Sequence, residues 1–540
     1  DYTKTGSRMV QRAGGREERP PVGLSALPQV ILPDMYGTPQ PPSIRYAGGP
    51  TQQESAAAGY AGLLAALVAA PMAFCSRRHR RFNFLWLGLA FLGLSWTLNV
   101  PGVVNLLRLP GLRMMSHNRL VFVDCFAIVA LAATGLESLL SGEVRWQKWM
   151  WAPLGLLLAL CGWCAFRSMQ PPAVMARIAA QVSAGRPAAW IHDLKGVQAA
   201  RASFLAYFAA GAVICGLGAV LWVVLRDARL SRQRLAVALA VLQVAELLWF
   251  AYGRNVQCSP ELYYPPQAVL QALATAPPGR VMGVGCLPAD LSAICGLRDI
   301  RGYDAVDPAR LVELLLSAGD PLSVEPEYAR TMELAPKATI TAAGDIQLPP
   351  VLDMLGVRYV IFRGAPFPHT RPVLEGLDYW VLVNPRALPR AYVPQRVELL
   401  TNDAVRLSKM TLPEFNPRAV AYVETKVALP AACAGTAEIV QEVPTRVVVS
   451  ATMKTAGLVV LADRWDKGWR AYLDGAAAPV LRTNHAIRGV VVPAGLHKIE
   501  WRYEPLSFRW GLILALGSAA VLLAWTGLLV RQQIHQKHGG

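Results

Sequence analysis

The sequence predicts a polytopic α-helical membrane protein with about seven transmembrane helices and an extracytoplasmic α/β plus antiparallel β-sandwich domain of roughly 250 residues. Three observations carry this. Only 16% of residues are charged and 54% are hydrophobic, against about a quarter charged in soluble domains. Seven apolar stretches are long enough to cross a hydrocarbon core of about 30 Å, which takes about 20 helical residues. The basic residues behind the net charge of +17 sit in short clusters directly after apolar runs, which favours topology marking and leaves a nucleic-acid surface a remote reading.

Residues 1–55 read as an extracytoplasmic loop, polar from Arg8 to Arg19. The chain opens at Asp1 with no initiator Met or targeting segment, so it is expected to be the C-terminal portion of a longer polypeptide. A six-helix transmembrane region follows over residues 56–252, with spans at 56–75, 82–100, 120–140, 149–166, 204–225 and 235–252. Arg77 to Arg81, Arg145 with Lys148, Arg226 to Arg234, and Arg531 with Lys537 fall on one side when the helices alternate, so that side is cytoplasmic.

Residues 253–416 carry no span-length apolar run and read as a mixed α/β subdomain, with helical spacing at 266–275 and 308–317 and short β-branched runs at 280–285 and 357–362. Residues 417–507 read as a β-sandwich subdomain, with strands at 420–423, 446–453, 457–462, 478–482, 487–492 and 497–503. In the last of these Ile499, Trp501 and Tyr503 alternate with Lys498, Glu500 and Arg502, the period of a half-buried strand. The last transmembrane helix spans 508–530 and the cytoplasmic tail 531–540.

Charged groups inside apolar helices are costly and tend to face a cavity or a partner. Asp124 and Glu246 are two such groups, both near the outer ends of their helices. Each either pairs with a nearby arginine or helix-end amide, or lines an outward cavity for a lipid-phosphate or sugar substrate. Arg108, Arg113 and Arg119 would then meet the anionic group, because the guanidinium fork suits phosphate. Trp465 and Trp469 flank an aromatic turn and either stack on sugars or anchor a hairpin. Cys161-x-x-Cys164 has redox spacing in an apolar setting and reads as helix packing. Cys286 and Cys295 are near enough to bridge in an oxidising compartment or to remain free. No histidine pair has zinc spacing, and there is no Ser-His-Asp set, phosphate-binding glycine loop or Rossmann fingerprint.

Several ordered blocks resemble the YfhO-type bacterial membrane proteins, which are classed with GT-C glycosyltransferases. They include Gln53-Glu54 to Leu64, Leu109-Pro110-Gly111 to Arg119 and the helix ending Ala132-Ala133-Thr134-Gly135-Leu136-Glu137. Others are Gly296-Leu297-Arg298-Asp299-Ile300-Arg301-Gly302-Tyr303-Asp304, Leu352 to Val360, Ala387 to Tyr392, and Gly468-Trp469-Arg470-Ala471-Tyr472-Leu473-Asp474-Gly475 through Pro505. The resemblance covers nearly the whole chain. It implies outward-facing transfer of a sugar from a polyprenyl-phosphate carrier to a cell-envelope acceptor, in the bacterial inner (cytoplasmic) membrane with the large domain extracytoplasmic.

In GT-C enzymes the key acid lies in the first outer loop, which is expected to precede Asp1, so no catalytic residue carries over. Glu54 and Asp124 are then supporting candidates. GT-C relatives can use a divalent metal, although no site for one is visible in this sequence. Where relatives read Arg-x-Pro-x-Arg before the third helix, this chain has Arg113-Met114-Met115-Ser116-His117-Asn118-Arg119, so an anion-binding role for that motif is unsupported here although Arg119 keeps its place.

The leading expectation is therefore a GT-C-like glycosyltransferase whose partners are membrane lipid and the polyprenyl-phosphate-linked sugar, without nucleic acid. The alternative is a non-catalytic envelope or membrane-complex subunit whose outer domain docks onto membrane-protein partners. A transporter is disfavoured, since no inverted repeat or pair of broken helices is evident.

Overall fold

A computed structural model describes residues 23–38, 41–46, 59–107, 120–225, 231–252, 258–263, 266–287, 289–303, 307–321 and 330–538. The chain divides into two compact units, one within residues 17–260 and one from residue 261 onward.

Five helical runs among the described residues are long and apolar enough to cross a membrane: Val121–Leu140, Lys148–Ser183, Leu194–Val224, Arg232–Ala251 and Leu506–Gln532. The first four belong to the helical unit. Leu194–Val224 has a defined start, where the Asp193 carboxylate accepts the Gly196 N–H at 2.8 Å and satisfies one orphan donor of the first turn.

Two expected spans take another form. The apolar run at 56–75 is interrupted: a π-turn at Ala65–Ala69 gives way to Ala70–Met72, which contains Pro71, and to a 3₁₀ turn at Ala73–Cys75. Proline removes a backbone donor and disturbs the preceding turn. The run at 82–100 forms Arg80–Ser95, about 24 Å of helix at 1.5 Å per residue, shorter than a hydrocarbon core.

Carbonyls within and at the end of this run take side-chain donors, as suits an apolar environment. Trp222 Nε1 donates to the Leu67 carbonyl at 2.9 Å, and Asn83 Nδ2 to that of Ala73 at 2.7 Å. Close crossings rest on small residues: a Cβ on Gly135 would stand 1.8 Å from the Ala69 carbonyl oxygen. Cys164 is buried with its Sγ over Gly211, and Cys161 donates to the Ala212 carbonyl at 3.3 Å, so this pair packs two helices together. Residues 23–46, expected as outer loop, contribute Ala26, Val30, Leu32 and Ile44 to the helical core.

Among its described residues the second unit holds three larger sheets and a short hairpin. β1 (Arg280–Gly283) is followed by the hairpin β2 (Thr339–Ile340) and β3 (Ile346–Gln347), then by β4 (Val357–Arg363), β5 (Leu374–Glu375) and β6 (Tyr379–Val383). The first sheet has the order β1-β4-β6-β5, with β1 and β4 parallel. After these come β7 (Ala391–Tyr392), β8 (Arg396–Leu399), β9 (Val420–Val423), β10 (Gly435–Val443), β11 (Arg446–Met453) and β12 (Gly457–Arg464). The chain continues with β13 (Trp469–Leu473), β14 (Ala476–Ala478), β15 (Leu481–Thr483), β16 (Ile487–Val492) and β17 (Gly495–Tyr503). They form an antiparallel sheet β10-β11-β17-β13-β14 and a sheet β7-β12-β16-β15-β9-β8 in which β8 and β9 run parallel.

These two sheets share one core, made by Val447, Val449, Ile499 and Trp501 from the first and Val459, Leu461, Val490 and Val492 from the second. The strand expected at 478–482 is two strands in different sheets, because Pro479 carries no amide donor and β14 ends before it. A further core takes Met282, Val360 and Trp380 together with Val420, Tyr422, Leu458 and Ile487, so segments on both sides of Pro417 pack over common ground. Cys286 and Cys295 are free thiols, and Cys286 donates to the Ile361 carbonyl at 3.3 Å.

One carboxylate ties this unit together. The pairing of β12 with β16 shifts between Leu461 and Arg464, and the bulge turns Asp463 toward three guanidiniums. Arg280 of β1 donates to it at 2.6 Å, Arg390 at 2.9 Å and Arg488 of β16 at 3.0 Å. Burial alone would raise the Asp463 carboxyl, but the three arginines outweigh it and hold it at about 2.

The folded value lies below the ordinary one near 3.9, so this stabilisation is present above that pH and is lost as the pH falls to about 2. Asp463→Asn leaves three guanidiniums without their counter-charge and is expected to cost about 3–5 kcal/mol. It should be read as a lower thermal unfolding midpoint at pH 7, with the gap to wild type closing only near pH 2.

Candidate functional site

The start of the first helix creates a chemical demand. Its helical run opens at Leu63, after Gly62 at φ +103°, and the first N–H groups of any helix lack an intrahelical acceptor. Glu246, only 3% exposed, meets that demand from the C-terminal third of the apolar helix Arg232–Ala251. Its carboxylate accepts the Leu63 N–H, the Leu64 N–H at 3.1 Å and the Tyr60 hydroxyl at 2.5 Å. One turn earlier, Gln243 Nε2 donates to the Ala61 carbonyl at 3.0 Å. Arg232–Ala251 therefore holds the opening of the first helix through two side chains on one face.

Beside this junction lies a cavity of about 620 Å³, within the range of small-ligand sites. One wall is Ile31 to Asp34 with Tyr46; another is Phe204, Tyr207 and Gly211; Tyr60, Glu246, Trp249 and Phe250 close it. The lining is mainly apolar and aromatic, with Tyr46 edge-on to Phe204 at 4.8 Å and Tyr60 against Phe250 at 4.5 Å. Polar residues among the lining include Asp34, Thr38, Ser43, Tyr60, Ser203 and Glu246, with Tyr207, whose hydroxyl accepts the Asp34 N–H at 3.0 Å. Such a space suits a long apolar chain with one polar end.

The residues singled out in the sequence are distributed unevenly. Glu246 lines the cavity, and its partners are helix-end amides and a tyrosine. Asp124 is buried at 1% exposure beside Gly93 and is not among the cavity's lining residues, and its Oδ2 has no hydrogen-bond partner among the described residues. Glu54, Arg108, Arg113 and Arg119 lie outside the described residues. Trp465 and Trp469 belong to the other unit, and each has one face covered by a guanidinium, Arg482 at 4.0 Å and Arg488 at 3.7 Å. Trp469 also meets Tyr503 at 5.2 Å, so its contacts are those of packing.

Sequence reasoning missed Asp34, Tyr60 and Tyr207 as site residues. The signal for Tyr60 was its place in the Gln53 to Leu64 block; Asp34 sits in a proline-rich stretch that gives none.

Among the described residues no group of three or more His, Cys, Asp or Glu side chains is placed to hold a metal ion. Comparison with protein-family models, with curated proteins and with solved structures finds no match for this chain.

Glu246→Gln tests the junction. Glutamine brings one acceptor and a donating NH₂ to a place where three donors converge, so an amide or hydroxyl loses its partner at about 1–3 kcal/mol. The detergent-purified protein should unfold at a lower temperature than wild type, and Tyr60→Phe, which removes one donor, should cost less.

Proposed function

We propose that the chain is a GT-C-like membrane glycosyltransferase, or its C-terminal portion, taking a sugar from a polyprenyl-phosphate carrier to a cell-envelope acceptor outside the bacterial inner membrane. The observation that carries the reading is the cavity in the helical unit: apolar and aromatic walls for a prenyl chain, and Asp34, Tyr60 and Tyr207 as polar points for its head. The basic loop clusters support an outward cavity, since Tyr60 lies at the start of the run that ends before Arg77 to Arg81, and Glu246 toward the end of the helix that opens at Arg232 with Arg234. In this reading the interrupted first helix and Arg80–Ser95 complete seven crossings. The two facing sheets form a β-sandwich, and the domain of residues 253–507 stands extracytoplasmic. The ordered blocks resembling YfhO-type proteins agree with it.

Glu246 has both carboxylate oxygens engaged and serves in positioning. Asp34 is our candidate for accepting the proton of the incoming hydroxyl, a role contributing about 10²- to 10⁴-fold.

The experiment is turnover in nanodiscs. Full-chain protein with a radiolabelled polyprenyl-phosphate sugar should release or transfer sugar, and Asp34→Asn should lower that rate at least about 100-fold while retaining lipid binding. Binding without turnover in wild type would favour the docking-subunit alternative, and neither binding nor turnover would overturn the proposal.

A further inference from the structure

Away from the membrane-spanning helices, the second unit has an arginine-lined cleft that the sugar-transfer reading does not use. Two adjoining lobes of about 470 and 450 Å³ share Arg298, Arg390 and Glu442. Backbone geometry builds it. A Cβ on Gly279 would meet the Arg358 side chain at 2.6 Å, so the glycine leaves a trough in which the arginine stem lies. β10 is the edge strand of its sheet, and its pairing with β11 shifts between Ile439 and Gln441. Directly opposed residues share a face. Ile439 opposes the core residue Val449, and beyond the bulge Glu442 opposes the core residue Val447. The shift thus turns Glu442 inward, to where Arg298 and Arg390 wait.

Glu442 takes Arg298 at 2.9 Å and Arg390 through two contacts of 2.8 and 2.9 Å. Arg390 is also committed to Asp463. Arg358 makes no ion pair among the described residues. Of the other bordering carboxylates, Asp299 is held by Arg301 at 2.8 Å, and Glu438 lies on β10. Arg298, with a side chain 56% exposed, is open to solvent and free to re-pair.

We propose that this cleft binds a phosphate group, with Glu442 as an internal stand-in that holds the guanidiniums together until the ligand displaces it. A dianionic phosphate offers more charge and more acceptor oxygens to three guanidinium forks than a single carboxylate does. The group belongs to a free phosphate or to a phosphate-bearing polyol.

The test is calorimetric titration of the full-chain protein in detergent at low salt with two probes, inorganic phosphate and glycerol phosphate. Wild type should bind at least one of them saturably. Arg298→Gln with Arg358→Gln should weaken that binding at least tenfold without lowering the thermal midpoint, since neither side chain is buried in a core. Glu442→Gln, which removes the competitor, should tighten it severalfold. Tighter binding of glycerol phosphate points to the polyol source, and equal or preferred binding of inorganic phosphate to the free anion. Absence of saturable binding in both wild type and Glu442→Gln, or binding indifferent to the arginine substitutions, would overturn the proposal. The readout is binding alone, so failure of sugar transfer leaves this result standing.

Discussion

In a membrane, no water is at hand for the unpaired backbone amides at the start of a helix. The helical unit is organised around that constraint. The first helical run opens only at Leu63, after Gly62, so its opening amides at Leu63 and Leu64 need an acceptor, and Glu246 supplies one from Arg232–Ala251. The cavity depends on this junction. Tyr60 is held at its edge by the same carboxylate, and Trp249 and Phe250 follow from the turn of helix after Glu246. An intramembrane acid that looks like a functional group by its cost here has a structural task first, and the site is its consequence.

The second unit solves a related problem with the opposite sign. Three guanidiniums from separate parts of the fold converge on one buried carboxylate, Asp463. Arg390 then bridges from that hub to Glu442 and the solvent-facing cleft. A buried charge pair is costly unless all its partners are present, so the hub fixes the relative placement of β1, β12 and β16 within the unit. It also presents Arg298 and Arg358 on a rigid base.

Periodicity made much of this legible. Residues 204–225 gave their span because nothing interrupts them, although the helix begins ten residues earlier, at the Asp193 cap. The alternation of Ile499, Trp501 and Tyr503 gave β17 its face. What escaped is what breaks the period. The bulges before Glu442 and at Asp463 reverse inward and outward, so counting by two misplaces both carboxylates. The helix start at Leu63, inside the apolar run, leaves amide donors that a hydropathy pattern does not register, and these are partners of Glu246. Asp34 lines the cavity because residues 23–38 and 41–46 pack into the helical core, a tertiary event that a short, proline-rich stretch without helical periodicity does not announce.

Photocrosslinking with a polyprenyl-phosphate analogue bearing a diazirine near its head, followed by peptide mapping of the full-chain protein in nanodiscs, tests the central claim most directly. The account predicts adducts on the cavity wall, at Ile31 to Asp34, at Tyr207 to Gly211 and at Trp249 to Tyr252, and their loss on competition with unlabelled carrier. Adducts spread over the lipid-facing helix surfaces, unaffected by competitor, would contradict it.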